Sequence, residues 1–191
     1  MSRMESNEEL VAKYLRGDER AFEQLVTQNL KQVYSFSLRL TGNASDAEDI
    51  TQETFLKVWR NLKRYSSTSA SFKTWLMHIA RNTAIDHLRK KKAIPFSFFE
   101  NEEGENAQID FLPDDIPLPD EITAHVKDVA TMESALKKIP PLHREILLLY
   151  NGNDFSFSEI ASILDESVNT VKSRYRRALD ALRKVLMHPK Q

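Results

Sequence analysis

Thr170, Lys172, Ser173, Arg176 and Arg177 fall on one side of a helical repeat near the C-terminal end of the chain, with Asn169 beside them. Hydroxyls, an ammonium and guanidinium groups at this spacing can donate hydrogen bonds to phosphate oxygens and base edges. Neither a general base nor a cluster of metal ligands accompanies them, so bond-making chemistry is not expected here. The other side of the repeat is apolar. Val168, Val171, Tyr175, Ala178, Leu179, Leu182 and Leu186 recur at helical spacing and predict a helix over 168–186. Just ahead, Ser156-Phe-Ser-Glu159 has the form of a capping box. It opens a short helix over 157–164, whose apolar face is Ile160, Ala161, Ile163 and Leu164. Asp165-Glu166 supplies the turn, and Ser167 a cap for the longer helix. A short helix, a tight turn and a longer helix with a basic polar face form a helix-turn-helix, whose second helix fits the major groove. Glycine is frequent at such turns; Asp165 stands here, and aspartate tolerates left-handed backbone better than most residues.

A second set lies between residues 65 and 92. Arg81, Asn82 and Arg89, with Thr74 and His78, face away from Phe72, Trp75, Leu76, Ile79, Ala80 and Thr83 on a helix that begins near Phe72. Lys90–Lys92 follow. Basic groups around one amide can hold phosphates and read a base edge. The loop before this helix, Tyr65–Ser71, contains Ser66, Ser67, Thr68 and Ser69. Trp59 and Trp75 have apolar neighbours at helical spacing, which favours core positions over base-stacking platforms. His78 and His87 lack partners at metal-ligand spacing and read as surface histidines.

A third set is acidic. On the helix expected around 47–62, Asp49, Gln52, Glu53, Lys57 and Arg60 oppose an apolar stripe of Ile50, Phe55, Val58, Trp59 and Leu62. Acids facing out of a basic unit repel DNA and suit a protein partner. Taken alone, the same face also fits a solvated helix with ordinary charge pairs.

The elements carrying these groups are helical almost throughout. The chain has 191 residues, 41% of them hydrophobic and 29% charged, with four glycines and no cysteine. The length allows one large domain or two small ones. Scarce glycine disfavours phosphate-binding loops and turn-dense β folds, and the lack of cysteine excludes disulfides, zinc fingers and thiol nucleophiles. No enzyme activity, cofactor or bound metal is expected. Met1–Leu10 is polar and acidic, and no run approaches the roughly 18 apolar residues of a membrane span. A cytoplasmic protein without membrane insertion is expected.

The net charge of −1 hides a segregation. Residues 1–95 carry 16 Lys and Arg against 11 acids; 96–128 carry one Lys against 10 acids; 129–191 carry 10 against seven. Two basic pieces flank an acidic one, as two polyanion-binding units and a connector would. In the first piece, apolar residues run at helical spacing from Leu10 and Val11 through Leu25 to Val33, Tyr34 and Leu38; Gly42 and Asn43 interrupt them. Ser45 or Asp46 is the expected cap of the next helix. The last piece holds helices over 129–138, 141–150, 157–164 and 168–186. The middle piece contains Pro95, Pro113, Pro117 and Pro119 and reads as a flexible spacer. Its apolar residues, Phe96, Phe98, Phe99, Phe111 and Leu112, hint at docking.

Several segments resemble those of one family. Asp46-Ala-Glu-Asp-Ile-Thr-Gln-Glu-Thr-Phe-Leu-Lys-Val-Trp59 resembles region 2.2 of bacterial RNA polymerase sigma factors. Phe72-Lys-Thr-Trp-Leu-Met-His-Ile-Ala-Arg-Asn-Thr-Ala-Ile-Asp-His-Leu-Arg89 is similar to regions 2.3 and 2.4. Pro140-Pro-Leu-His-Arg-Glu-Ile146 resembles region 4.1, and Thr170-Val-Lys-Ser-Arg-Tyr-Arg-Arg-Ala178 region 4.2. They occur in family order, and the small size and paired arrangement resemble the extracytoplasmic-function (ECF) type. The resemblance implies an all-α fold of two small helical domains joined by a flexible acidic linker. Region 2 would span 8–92, the linker 93–128 and region 4 129–187. It implies a factor that binds core RNA polymerase, through the β′ clamp and the β flap, and directs it to promoter DNA. Asp49, Gln52 and Glu53 would bind polymerase. Asn82, Arg81, Arg89 and Ser66–Ser69 would contact the minus-10 element, with the Tyr65–Ser71 loop holding a flipped base. Thr170, Lys172, Ser173, Arg176 and Arg177 would contact the minus-35 element. The linker would thread the polymerase channel as a polyanion mimic, and an anti-sigma factor would regulate the whole. From the residues alone, an autonomous helix-turn-helix regulator remains an alternative.

Overall fold

The computed structural model describes residues 5–92 and 129–187, together with Pro119 and Ile122. Every regular element among them is helical, giving the all-α architecture expected. The chain divides into two compact units between Leu88 and Arg89. The phenylalanines and all the acids of the expected linker lie outside the described residues.

In the first unit, α1 spans Asn7–Leu15, α2 Glu19–Thr41, α3 Ala44–Asn61 and α4 Phe72–Lys92. A single 3-10 turn, Leu62–Arg64, follows α3. Helix α1 opens with a capping box: Glu9 N–H donates to Ser6 Oγ at 3.2 Å, and Ser6 N–H to Glu9 Oε2 at 2.8 Å. The apolar run from Leu10 to Leu38 is not one continuous pattern. Gly17, at φ 102°, breaks it, and Asp18 caps α2 by accepting from Arg20 N–H at 3.1 Å. Gly42, at φ 72°, ends α2. Asn43, read from sequence only as a break, is the cap of α3: its Oδ1 accepts from Asp46 N–H at 3.0 Å. Ser45 and Asp46 lie in the first turn instead.

Helices α1 and α3 pack against α2. Leu10, Leu25, Val33, Phe36, Leu40, Ile50, Val58, Leu62, Phe72, Leu76, Met77 and Ala80 are almost fully buried in the first unit. Phe36 and Met77 join this core although the sequence reading did not place them there. Thr54 and Thr83 are buried too, and their hydroxyls donate to the carbonyls of Ile50 and Ile79 at 2.7 and 2.8 Å. A buried hydroxyl satisfied within its own helix adds no unpaired group to the core.

The second unit contains α5 (Val129–Lys138), α6 (Pro141–Asn153), α7 (Phe157–Leu164) and α8 (Val168–Met187). Helix α6 runs past the expected end at Tyr150. Asn151 and Asn153 side-chain amides donate to the carbonyls of Leu147 and Leu148 at 3.3 and 2.9 Å, and Asp154, at φ 56°, ends the helix. Helix α8 packs against α5, α6 and α7. Val171, Tyr175, Ala178 and Leu182 fill that contact, whereas Val168, Leu179 and Leu186 are only half-buried.

A charged cluster sits inside this unit. Arg174 is 4% exposed and Glu145 0%. Arg174 Nη2 donates to Glu145 Oε1 at 2.7 Å and to the Leu142 carbonyl at 3.3 Å; Nη1 donates to Glu166. Burial, the largest influence, works against the Arg174 charge, but the two carboxylates outweigh it and leave its pKa above the usual value. The adjacent Arg144 closes the end of α5, donating to the carbonyls of Leu136, Lys137 and Ile139 at 2.7, 2.9 and 3.1 Å. Burial lowers its pKa.

Arg174→Ala would strand the Glu145 carboxylate in the core. It is expected to destabilise the second unit by about 3–5 kcal/mol, read as a lower urea midpoint. Replacing Arg174 by Met and Glu145 by Leu together is expected to recover most of that loss. A double variant no more stable than the single one would contradict this account.

Candidate nucleic-acid and protein interfaces

The helix-turn-helix is built as its sequence requires. Ser156 and Glu159 form the capping box of α7, with Glu159 N–H donating to Ser156 Oγ at 3.3 Å and Ser156 N–H to Glu159 Oε2 at 2.9 Å. Asp165, at φ 55°, makes the turn in the left-handed region. Ser167 Oγ accepts from Thr170 N–H at 3.1 Å and caps α8. Beyond the cap, Asn169 and Arg176 are exposed, and Thr170, Lys172, Ser173 and Arg177 half-exposed. The Lys172 ammonium lies 5.7 Å from the Phe157 ring centre, a cation–π contact between the two helices. Phe157 stacks on Tyr150 at 4.6 Å between ring centres and meets Tyr175 edge-on at 5.4 Å. The basic face therefore stands on a rigid aromatic base. Arg174 lies on the same helix as these polar residues but points into the charged cluster instead.

On α4, Arg81, Asn82 and Arg89 are half-exposed. Arg81 Nη1 donates to Asn82 Oδ1 at 3.2 Å, and Asn82 Nδ2 lies 3.0 Å from His78 Nε2. The amide is thus oriented from both ends. His78 is not a bare surface histidine, and neither is His87, whose Nε2 lies 3.2 Å from Asp46 Oδ1. Thr74, expected on the polar face, is buried; its hydroxyl shares a hydrogen bond with Ser71 Oγ at 2.8 Å, within the capping turn of α4. Trp75 is half-buried against Tyr65 and Phe72, at 5.2 and 5.8 Å between ring centres. In the preceding loop Ser66, Ser67, Thr68 and Ser69 are all exposed, and the Ser66 and Thr68 hydroxyls bond each other at 2.8 Å.

On α3, Asp49, Gln52 and Glu53 are exposed. Glu53 pairs with Lys57 at 3.0 Å, and Lys57 Nζ also donates to Thr83 Oγ1 at 3.1 Å. Trp59 is 52% exposed, against its assignment to the apolar stripe, and Leu56 is 51% exposed. The signal was in the spacing. Leu56 follows Gln52 and Glu53 by four and three residues, and Trp59 follows Gln52 by seven, so all lie on one helical face. A groove of about 410 Å³ between α2 and α3 borders this face, lined by Thr27, Leu30, Lys31, Tyr34, Glu48, Thr51 and Gln52. Leu30 is 47% exposed. Exposed Leu and Trp beside carboxylates suit a protein surface better than a phosphate backbone.

Among the described residues no group of His, Cys, Asp and Glu could hold a metal ion, and no helix is long and apolar enough to cross a membrane.

Ser167→Ala removes the cap of α8 and is expected to cost the second unit about 1 kcal/mol, with faster amide exchange at Thr170. Ser167→Asp, which keeps a capping oxygen, is expected to restore both. Unchanged exchange in the alanine variant would mean that the cap does not hold the head of α8.

Comparison with known proteins gives matches to both units. Residues 25–94 match the Sigma-70 region 2 model, and residues 130–182 the Sigma-70 region 4 model. The ECF RNA polymerase sigma factor SigW of Bacillus subtilis is 33% identical, the alignment covering 90% of this chain and 91% of the relative. The RNA polymerase sigma-H factor of Pseudomonas aeruginosa is also 33% identical, with 97% of this chain and 96% of the relative covered. Among solved structures, CnrH in complex with the cytosolic domain of CnrY is similar at a TM-score of 0.65 and 25% identity, covering 95% of this chain and 97% of that one. The sigma factor RpoE from Bartonella quintana, in complex with the anti-sigma factor NepR, shares the fold at a TM-score of 0.63 and 23% identity, covering 88% and 98%.

Proposed function

The chain belongs to the RNA polymerase sigma-70 family, in its ECF branch, and from that membership we propose how its residues divide the work of initiation. It is a sigma factor, which binds core RNA polymerase and promoter DNA and directs transcription initiation. The exposed face of α3 takes the β′ clamp. The observation that carries this reading is the exposure of Leu56 and Trp59 among Asp49, Gln52 and Glu53. A tryptophan on an acidic, solvent-facing helix gains most when a protein partner buries it.

The remainder of the assignment follows residue by residue. Region 2 covers 8–92, and Asn82, Arg81, Arg89 and Ser66–Ser69 contact the minus-10 element. Region 4 covers 129–187, binds the β flap, and places Thr170, Lys172, Ser173, Arg176 and Arg177 in the minus-35 major groove. Residues 93–128 link the two. Phosphodiester chemistry belongs to the core enzyme; this chain contributes recognition and opening. An anti-sigma factor in the cytoplasm holds it inactive. The similar CnrH is solved bound to the cytosolic domain of CnrY, which supports the reading that a second protein chain can hold this fold.

Run-off transcription with core polymerase, on templates that include the region upstream of its own gene, is expected to give discrete transcripts only when the protein is added. Trp59→Ala is expected to weaken core binding by roughly 30-fold, the effect of losing a hot-spot aromatic of about 2 kcal/mol. Asn82→Ala should leave core binding intact and reduce open complexes. No dependent transcript, with tight duplex binding in the absence of polymerase, would point to an autonomous regulator instead.

Arg176→Ala should weaken minus-35 binding by the holoenzyme and lower the slope of log affinity against log salt by about 1 if the guanidinium neutralises one phosphate. An unchanged slope with relaxed sequence preference would assign Arg176 to a base edge.

A further inference from the structure

The Glu8 carboxylate reaches from the first helix to the head of the fourth. Its Oε1 accepts from the Phe72 backbone N–H at 3.0 Å, across 64 residues of sequence. Phe72 is the first residue of α4, so its amide has no acceptor within the helix. Thr74 N–H is taken by Ser71 Oγ at 3.1 Å. The C-terminal end of the 65–71 loop is therefore fixed both by its own serine and by a side chain from α1.

Tyr65 fixes the other end. Its ring packs 5.6 Å from Phe72 and 5.2 Å from Trp75, centre to centre. Its hydroxyl donates to the Ala70 carbonyl at 3.1 Å, so one hydrogen bond clasps the ends of the segment between them. That bond needs the phenol protonated. Burial, and after it the charge and hydrogen bonding of Glu8, push the Tyr65 pKa up to about 12. Glu8 thus holds one anchor of the loop directly and lies close enough to the other for its charge to be felt there. Between them Ser66, Ser67, Thr68 and Ser69 are exposed; the Ser66–Thr68 hydroxyl bond and the Ser69 N–H to Ser66 carbonyl bond at 3.1 Å shape only this local turn, so its placement depends on the two anchored ends. Glu8 also lies ahead of residues 25–94, which match the region 2 model, and none of the roles assigned above includes it.

We propose that Glu8 is a positioning residue for minus-10 recognition: by holding the Phe72 N–H beside the Tyr65 clasp it fixes the shape of the 65–71 loop and so the base that the loop accepts. It touches no DNA itself. The negative charge is tolerated beside the loop because the amide end of α4 offsets it. The inference rests on the assignment of this loop to a flipped minus-10 base.

The test uses holoenzyme assembled from the full chain and core polymerase. Four fluorescent single-stranded oligonucleotides carry the minus-10 sequence mapped by run-off transcription, each with a different base at the flipped position. Anisotropy gives each affinity and hence the discrimination ratio. Glu8→Ala is expected to bind core normally, to lose roughly tenfold in affinity for the preferred oligonucleotide, and to lose much of the ratio. Glu8→Gln keeps an acceptor for Phe72 N–H and is expected to recover most of both. Tyr65→Phe, which removes the clasp but leaves Glu8 in place, is expected to lower the ratio as Glu8→Ala does, which keeps the idea testable if the alanine variant folds poorly. If Thr68→Ala or Ser69→Ala changes the ratio while Glu8→Ala and Tyr65→Phe do not, the inference is wrong and the loop assignment stands. If none of the four changes it, the loop assignment itself fails, and the inference with it.

Discussion

A helix ends with amides or carbonyls that its own ladder cannot satisfy, and this chain is organised around how those ends are closed. Glycine is too scarce to terminate every helix by left-handed backbone alone. Side chains do the work. Ser6, Asp18, Asn43, Ser156 and Ser167 close N-termini within their own turns. Asp154 and Asp165 take the left-handed positions that glycine holds at Gly42. Two closures come from another helix instead: Glu8, 64 residues away, at the head of α4, and Arg144, from the next helix, at three carbonyls around the end of α5. Each locks two helices together at the cost of ordering one side chain. The loop proposed for minus-10 recognition lies at the first of these, and the turn of the helix-turn-helix at the local closures by Asp165 and Ser167, so the constraint that shapes the fold also positions the candidate sites.

The two units use opposite means to present a polar surface. In the second, Arg174 is withdrawn from the basic, exposed side of α8 and joined to Glu145 and Glu166. An ion pair this buried is weak evidence for stability, because desolvation offsets much of the attraction. Its clearer effect is geometric. Three elements, α6, the turn and α8, are pinned at one guanidinium, which fixes the angle at which the basic face projects. In the first unit the surplus lies outside. Leu56 and Trp59 remain in solvent, and burying them later gives a protein partner a reason to bind that no charge pair on the rim could supply.

Much of this was legible in the sequence. The limits of α5 and α7, the capping box at Ser156 and the left-handed Asp165 agree with the local rules because local rules decide them. The failures have a common origin. Gly17 falls inside an apolar pattern whose period continues across the break, so periodicity alone joined α1 to α2. Trp59 was placed in the core from its apolar neighbours, although its phase matched the exposed residues as well. Thr74 was placed on the polar face by its chemistry, whereas its hydroxyl is used up in a cap. Glu8 and Arg174 could not be read at all. Their partners lie 64 and 29 residues away, and no spacing rule reports a contact made only by the tertiary fold.

The geometry of Asn82 also bears on what opens DNA. Its amide is engaged by Arg81 and His78, so a base edge that binds it must replace existing hydrogen bonds. Such an exchange returns only about 0.5–1.5 kcal/mol net. Unstacking and flipping a base costs a few kcal/mol. An amide held this way is therefore better suited to reading a base than to exposing one. The Ser66–Thr68 hydroxyl pair has the same limitation. On the proposed assignment, opening must draw on many contacts at once, including any that Arg81 and Arg89 make to phosphates and the larger surface of the polymerase. If α3 is the docking face, as proposed, a factor built this way opens little DNA on its own, and its recognition groups become effective only after docking. Promoter opening is thereby conditional on the partner that carries out the chemistry.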